Sequence, residues 1–286
     1  MKFLAIQILS VFLIGVTFCS YGLATLIGVS SRTDAIYRID PYTGKSTFLT
    51  GTNAINYGGV GVSFLNDEMY VTDDVFHLGE PWDVRLTQVD LSSGDVRYLN
   101  SQGGSLNWPG LASNQSESLL YTIDINDNLT LKSITSDGVI TSVGSGTGID
   151  GRGMAYDDTN AILYATNIDG SLYTVDTTTG VASLIGDMGF SSLSFIGLAY
   201  DEVTQTLFAN INDASTGYIG SLYEINVDTG AASLIGSNYD PLDPNAVYFI
   251  DGLAWIPEAQ IVPEPSTFIL LGAGLAGLAA WHRKRS

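Results

Sequence analysis

The chain has 286 residues, with 30 Asp and Glu against 11 Lys and Arg, two His and one Cys, for a net charge of −19. Residues 25–265 hold 7 of the basic and all 30 acidic residues, a net of −23, and no Lys or Arg lies between Arg152 and Arg283; a basic face for nucleic acid or an anionic membrane is thereby excluded. Charged residues make up only 14% and Gly fills 32 positions, which excludes a charge-rich disordered chain or a coiled coil and points to a folded, turn-rich body.

In chain order, Lys2 is followed by an apolar run from Phe3 to Phe18 that only Gln7 and Ser10 interrupt, then by Gly22-Leu23-Ala24. This is the plan of a secretory signal peptide, and it predicts a signal helix within residues 1–24, export by the Sec machinery and cleavage after Ala24. A retained N-terminal anchor is the alternative. Phe18 stands before Cys19 where lipoprotein acylation needs a small residue, so lipidation is excluded. Cleavage after Ala24 leaves a chain without cysteine, so neither disulfides nor thiol catalysis are expected.

The middle of the chain repeats itself. Ser171-Leu-Tyr-Thr-Val-Asp-Thr-Thr-Thr-Gly180 followed by Val-Ala-Ser-Leu-Ile-Gly186 returns as Ser221-Leu-Tyr-Glu-Ile-Asn-Val-Asp-Thr-Gly230 followed by Ala-Ala-Ser-Leu-Ile-Gly236. Weaker copies centre on Gly44, Gly94 and Gly138, so the five glycines stand 50, 44, 42 and 50 residues apart. A second unit, Gly153-Met-Ala-Tyr-Asp then Leu163-Tyr164, recurs around Gly197 and Phe208, Gly110 and Tyr121, and Gly59 and Tyr70, always with 11 residues from glycine to aromatic. Each period offers four short strands, a to d, in about 45 residues, which is the blade signature of a β-propeller. A fifth a-type segment, Gly252-Leu-Ala-Trp-Ile256, has no b, c and d after it, whereas Leu26–Val29, Ile36–Asp40 and Ser46–Thr50 have no a before them. The expectation is an all-β, five-bladed β-propeller of four-stranded blades, closed by pairing of the N- and C-terminal strands. Asp40, Asp90, Asp176 and Asn226 each stand four residues before a turn glycine, where a side-chain oxygen caps the turn and Gly supplies a positive φ. Tyr164, Tyr173, Phe208 and Tyr223 are expected between blades.

Loop length is concentrated in the b-to-c and d-to-a connections, which share one face in this strand order, so function is expected there. Ligand-binding candidates are Trp82, Trp108, Tyr57 and Tyr239, whose rings suit sugar stacking, with Asp213 and Asp243 as hydroxyl acceptors; the same aromatics could equally pack the loops. The competing expectation is a glycoside hydrolase of the five-bladed propeller type. Such an enzyme needs paired carboxylates, and Asp150, Asp251 and Glu80 are the candidates, although Asp150 and Asp251 could equally shape turns. His77 alone does not make a catalytic triad or a zinc site. Asp124-Ile-Asn-Asp-Asn128 resembles the opening of a calcium loop, yet Leu129 replaces the glycine and Thr135 the bidentate Glu, so a b-to-c turn is expected. No metal site or cofactor is expected, with weak calcium binding by clustered carboxylates left open.

At the C-terminus, Val262-Pro263-Glu264-Pro265 precedes an uncharged stretch to Trp281 and then His282-Arg283-Lys284-Arg285. These three parts, in this order, resemble the PEP-CTERM sorting signal of bacterial proteins handled by exosortase. The resemblance implies an exosortase partner, processing at or near Pro263, Glu264 and Pro265, and residence in the inner membrane before release to the cell surface or extracellular matrix of an exopolysaccharide-producing cell. The apolar stretch 267–281 would make roughly 22 Å of transmembrane helix against a hydrocarbon core of roughly 30 Å, a poor permanent anchor, and the basic tail Arg283, Lys284 and Arg285 would stay cytoplasmic. An ordinary tail anchor predicts the same topology without release. The expected domains are a signal peptide (1–24), the propeller (25–256), a linker (257–262) and the sorting signal (263–286). The expected function is a non-enzymatic binding or scaffold module for exopolysaccharide or a surface protein.

Overall fold

Short strands bounded by Gly and Asp turns follow one another through the body, each three to eight residues long, and among the described residues no helix interrupts them. The computed structural model describes residues 25–52, 61–75, 83–100, 109–190, 196–213, 219–239, 242 and 249–256. Both predicted terminal helices lie outside these residues.

Blade 1 takes its b, c and d strands from β1 (Thr25–Ser30), β2 (Ala35–Ile39) and β3 (Ser46–Gly51). Blade 2 is β4 (Val62–Leu65), β5 (Glu68–Val75), β6 (Asp83–Val89) and β7 (Val96–Asn100); blade 3 is β8 (Ala112–Asn114), β9 (Leu119–Asp124), β10 (Thr130–Thr135) and β11 (Ile140–Val143). Blade 4 is β12 (Met154–Asp157), β13 (Ile162–Thr166), β14 (Ser171–Val175) and β15 (Ala182–Asp187); blade 5 is β16 (Ile196–Asp201), β17 (Thr206–Asp213), β18 (Ile219–Ile225) and β19 (Ala232–Ser237). The last strand, β20 (Gly252–Ile256), returns to blade 1 as its a strand, pairing antiparallel with β1 from Thr25↔Ile256 to Val29↔Gly252. The fold is therefore a five-bladed propeller closed by its two ends, as the strand count predicts.

The a strands β4, β8, β12, β16 and β20 contact one another in a closed ring and are almost wholly buried, whereas the outer strands β3, β11, β15 and β19 alternate between half-buried and exposed residues. Crowding at the axis explains the repeated Gly-aliphatic-small pattern. A Cβ on Gly61 would stand 2.7 Å from the Leu111 amide nitrogen, one on Gly153 3.0 Å from the Ile196 carbonyl, and one on Gly197 2.5 Å from the Leu253 amide nitrogen.

One register differs from the even spacing in the sequence. Ser63 faces Tyr70 as Ala112 faces Tyr121, Ala155 faces Tyr164 and Ala199 faces Phe208, so the axial glycine of blade 2 is Gly61 and not Gly59. Asn66 and Asp67, with φ of 50° and 69°, make a two-residue hairpin turn that matches strand twist. Four residues connect a to b in blades 3 and 4. The shorter turn moves the glycine by two positions.

Each hydrophobic cluster among the described residues joins two neighbouring blades. Ile27 and Ile36 meet Val62, Met69 and Val71; Leu65 and Tyr70 meet Leu111 and Leu120; Ile123 meets Met154 and Leu163; Leu172 meets Leu198 and Leu207; Phe208 and Leu222 meet Leu26 and Ile39. Tyr164 and Phe208 are buried in these seams and Tyr173 and Tyr223 pack half-buried against them, as expected. The outer strands of blades 1, 2, 4 and 5 each carry a β-bulge at Leu49, Leu99, Ile185 or Ile235, which adds an aliphatic side chain to a seam. Bulges also blunt an exposed sheet edge against pairing with other chains.

The c-to-d turns follow the predicted chemistry. Asp40 Oδ1 accepts the amides of Tyr42 and Thr43 (2.8 and 3.2 Å), Asp90 those of Ser92 and Ser93 (2.7 and 3.2 Å), Asp176 those of Thr178 and Thr179 (both 2.8 Å), and Asn226 those of Asp228 and Thr229 (3.0 and 2.9 Å). Gly44, Gly94, Gly180 and Gly230 follow with φ of 73° to 79°. These turns also explain Gly186 and Gly236: a Cβ on either would run into the carbonyl of Thr229 or Thr43, in the turn of the next blade.

Gly197→Ala places a methyl group against the backbone of β20 and is expected to cost about 1–3 kcal/mol as overpacking, whereas Gly51→Ala, whose Cβ meets nothing nearer than 3.9 Å, should stay within about 0.5 kcal/mol of the parent. Urea denaturation of the two variants checks the contrast.

Candidate functional site

Strands a and c run one way through each blade and b and d the other, so the axis has two unlike mouths. At the upper mouth, where the a strands begin, the axis is lined by Gly61, Gly110, Arg152, Gly153, Gly197 and Gly252, which approach so closely that no water-sized cavity is left between them. Asp150, ahead of β12, accepts bonds at Oδ2 from Arg152 Nη2 (3.1 Å) and Nε (3.3 Å), and its amide donates to Asn167 Oδ1 (3.1 Å). Asp251, ahead of β20, is 2% exposed; its Oδ2 accepts from the Ser31 amide (2.7 Å) and hydroxyl (2.6 Å). Burial pushes the Asp251 carboxyl up to about 6, against the lowering effect of the Ser31 bonds and of Arg32.

The strands β12 and β20 that follow these two carboxylates are separated in the ring by β16. Each carboxylate already has protein partners, a guanidinium for Asp150 and a serine for Asp251. Asp213 ends β17 opposite Ile219, and the half-buried Tyr239 follows β19, its amide donating to Ser237 Oγ (3.2 Å), so both stand at the upper end of blade 5. Tyr57, Glu80, Trp82, Trp108 and Asp243 lie outside the described residues, as do Pro263, Glu264, Pro265, Arg283, Lys284 and Arg285.

The lower mouth is wider, with a cavity of about 40 Å³ lined by Ser63, Phe64, Ser113, Tyr156, Tyr200 and Trp255. Three of these rings stack on the b-strand aromatic of the preceding blade: Tyr156 on Tyr121 (centroids 6.0 Å apart), Tyr200 on Tyr164 (5.9 Å) and Trp255 on Phe208 (5.8 Å). The sequence reading places Tyr164 and Phe208 between blades but misses Tyr121 and the a-strand partners, whose signal is the aromatic three residues after Gly61, Gly153, Gly197 and Gly252, a position that Ser113 fills after Gly110.

Around this mouth the a-to-b turns are tied blade to blade. The Asn66 amide donates to Gln115 Oε1 (3.2 Å), the Ser116 amide to Asp158 Oδ1 (3.2 Å), and the Asp158 amide and Thr159 hydroxyl to Glu202 (2.5 and 2.7 Å). Asp157 and Asp201, both buried, cap their own turns through the amides of Asn160 (2.9 Å) and Val203 (2.9 Å). Burial and the carboxylate of Glu68 push Tyr70 up to about 12; burial and Glu117 do the same to Tyr121. Tyr200 is raised by burial and by its bond to Asp157. The phenols are thus held as hydrogen-bond donors and the carboxylates as turn acceptors.

Among the described residues no group of three or more His, Cys, Asp and Glu could hold a metal. The Asp124–Asn128 segment is the b-to-c turn between β9 and β10, with the Asn126 amide on Asp124 Oδ1 (3.1 Å) and Asp127 paired with Lys132.

Residues 262–284 match the PEP-CTERM protein-sorting motif. The molecule is a β-propeller with a C-terminal sorting signal: a five-bladed, all-β body followed by a PEP-CTERM motif. That motif implies recognition by an exosortase, export, and membrane anchoring through the C-terminal region. Among the described residues no helix is long and apolar enough to cross a membrane. No curated protein matches the chain. Among solved structures, a chain of the nidogen/laminin complex is similar at 14% identity and a TM-score of 0.56, over 82% of this chain and 99% of that one, a likeness of fold alone. Two proteins from Bacteroides thetaiotaomicron are more distant at a TM-score of 0.46: one of unknown function (14% identity, 74% of this chain and 64% of that one) and an auxiliary nutrient binding protein (13%, 77% and 51%).

Tyr70 and Tyr121, with phenols at about 12, should stay protonated through pH 11, where free phenols near 10 have ionised. Ultraviolet titration of the parent and of Tyr121→Phe checks this: the variant should lose absorbance change only from the step above pH 11.

Proposed function

We propose that the chain is an exported, exosortase-sorted, non-enzymatic module that binds extracellular polysaccharide or another surface component, or serves as a scaffold for it. In this reading residues 1–24 are removed after Sec export, 25–256 form the propeller, 257–262 link it to the membrane, and 263–286 hold it in the inner membrane until processing at Pro263, Glu264 and Pro265 releases it to the cell surface. The supporting observation is the uneven distribution of hairpin length. The b-to-c hairpins of blades 2 and 5, on β5, β6, β17 and β18, are the long ones, with strands of 7 and 8 residues, and these blades flank blade 1. Both ends of the propeller, Thr25 and Ile256, meet at the opposite end of blade 1. The long hairpins therefore stand at the end of the body opposite Thr25 and Ile256, and in this reading Trp82, Trp108, Tyr57, Tyr239, Asp213 and Asp243 are the residues that bind.

The second reading, a hydrolase using Asp150, Asp251 and Glu80, is favoured only by the position of the two Asp residues at the axis. A glycan array probed with the full-length protein in detergent separates the two. For the module, Trp82→Ala, Trp108→Ala or Tyr239→Ala weakens saturable binding roughly tenfold, ~1.4 kcal/mol, and no reducing sugar appears. Sugar release abolished by Asp150→Ala or Asp251→Ala would establish the hydrolase. Absence of binding and release alike overturns both and leaves the scaffold role.

A further inference from the structure

Three groups of contacts join the first and last residues of the body. One is the ladder between β1 and β20. The second lies at the outer edge, where the Ser46 amide (3.2 Å) and hydroxyl (2.9 Å) donate to the Asn238 carbonyl and Asn238 Nδ2 donates to the Gly44 carbonyl (3.0 Å). The third gathers around Asp251, 220 residues away in sequence from its partner Ser31.

There the segment ahead of β20 is held from both sides. Asn210 Nδ2 (3.0 Å) and Asn212 Nδ2 (2.6 Å) donate to the Ile250 carbonyl from blade 5. The Asp251 amide donates to the Val29 carbonyl (2.8 Å), and the Ser31 amide and hydroxyl donate to Asp251 Oδ2. The other carboxylate oxygen, Oδ1, is buried without a hydrogen-bond partner, and so are Asn210 Oδ1 and Ser30 Oγ on residues bonded or adjacent to the same short segment. A carboxylate sealed from water with one oxygen unsatisfied is costly as an anion, whereas a proton on Oδ1 removes the buried charge and turns an unmatched acceptor into a donor.

We propose that Asp251 is a proton-operated latch, which fastens the C-terminal closing segment to the first hairpin more firmly in mildly acidic medium than in neutral medium. The charged group acting on it is Arg32, whose guanidinium lies 3.8 Å over the Phe249 ring and favours the anion. The other residues bonded to this segment, Val29, Ser31, Asn210 and Asn212, are not titratable. The folded carboxyl at about 6 lies above the ordinary 3.8, so folding takes up a proton: the stabilisation is complete below pH ~4 and is lost as pH rises through about 6.

The test compares the full chain with Asp251→Asn by urea unfolding in detergent from pH 4 to pH 8. Asn keeps an acceptor for Ser31 and replaces the buried oxygen with a neutral donor. The folding constant of the parent should fall relative to the variant by on the order of a hundredfold across that range, with the variant the more stable at pH 8. A ratio that stays constant with pH, or a variant less stable throughout, overturns the latch. Should Asp251→Asn not fold, carbon-13 NMR titration of the parent decides the matter: a carboxyl midpoint near 6 that moves upward in Ser31→Ala supports the latch, and a midpoint near 4 refutes it.

Discussion

Five strands must pass side by side around one axis, and the space they share is too narrow for side chains at the start of each. Gly61, Gly153 and Gly197 meet the backbone or first side-chain atoms of the next a strand directly. Everything outward follows from that close approach. Because the a strands touch, their flanking sheets stand face to face, and burying those faces produces one hydrophobic seam per pair of neighbouring blades. Burial of this kind is worth roughly 25 cal/mol per Å² of apolar surface, and no blade can obtain it alone. The repeat is therefore cooperative at the level of the ring, and the single non-covalent joint, β20 on β1, completes it.

The ring is also stitched by polar bonds, and these take up part of the acidity. Carboxylates at Asp40, Asp90 and Asp176 hold the outer turns, while Asp157, Asp158, Asp201 and Glu202 hold the inner ones. A turn must satisfy amides that no sheet partner reaches, and a side-chain oxygen does so from within the same few residues. These seven carboxylates are thus occupied in architecture, as are the two at the axis, Asp150 with Arg152 and Asp251 with Ser31. The two mouths differ in consequence: the lower one is finished with stacked rings and tied turns, and the upper one carries the ion pair of Asp150 with Arg152 and the latch at Asp251.

Much of this was legible before any coordinates. Gly180 and Gly230 with their preceding Asp176 and Asn226 announce the outer turn, since only a short range of residue types tolerates that backbone and caps it. The orphan strand Gly252–Ile256 announces the closure, since a propeller needs every blade to have four strands. The register of blade 2 was not legible, because a two-residue turn at Asn66 and Asp67 serves as well as a four-residue one and the even spacing at Gly59 was a coincidence of sequence. The partners of the ring stacks were not legible either: Tyr156 and Tyr200 lie only eight residues before Tyr164 and Phe208, yet each stacks on the ring of a different blade, on Tyr121 and Tyr164.

By itself the sequence determined the sorting signal, the class of fold, the number of blades and the chemistry of the outer turns. These depend on local conformation and on composition, which a linear string carries in full. Only the tertiary structure decided which glycine crowds the axis, which rings stack between blades, and that Asp251 is sealed with one oxygen unmatched beside Ser31. Those facts arise from residues brought together across up to 220 positions, where the packing of one blade against the next sets the distance.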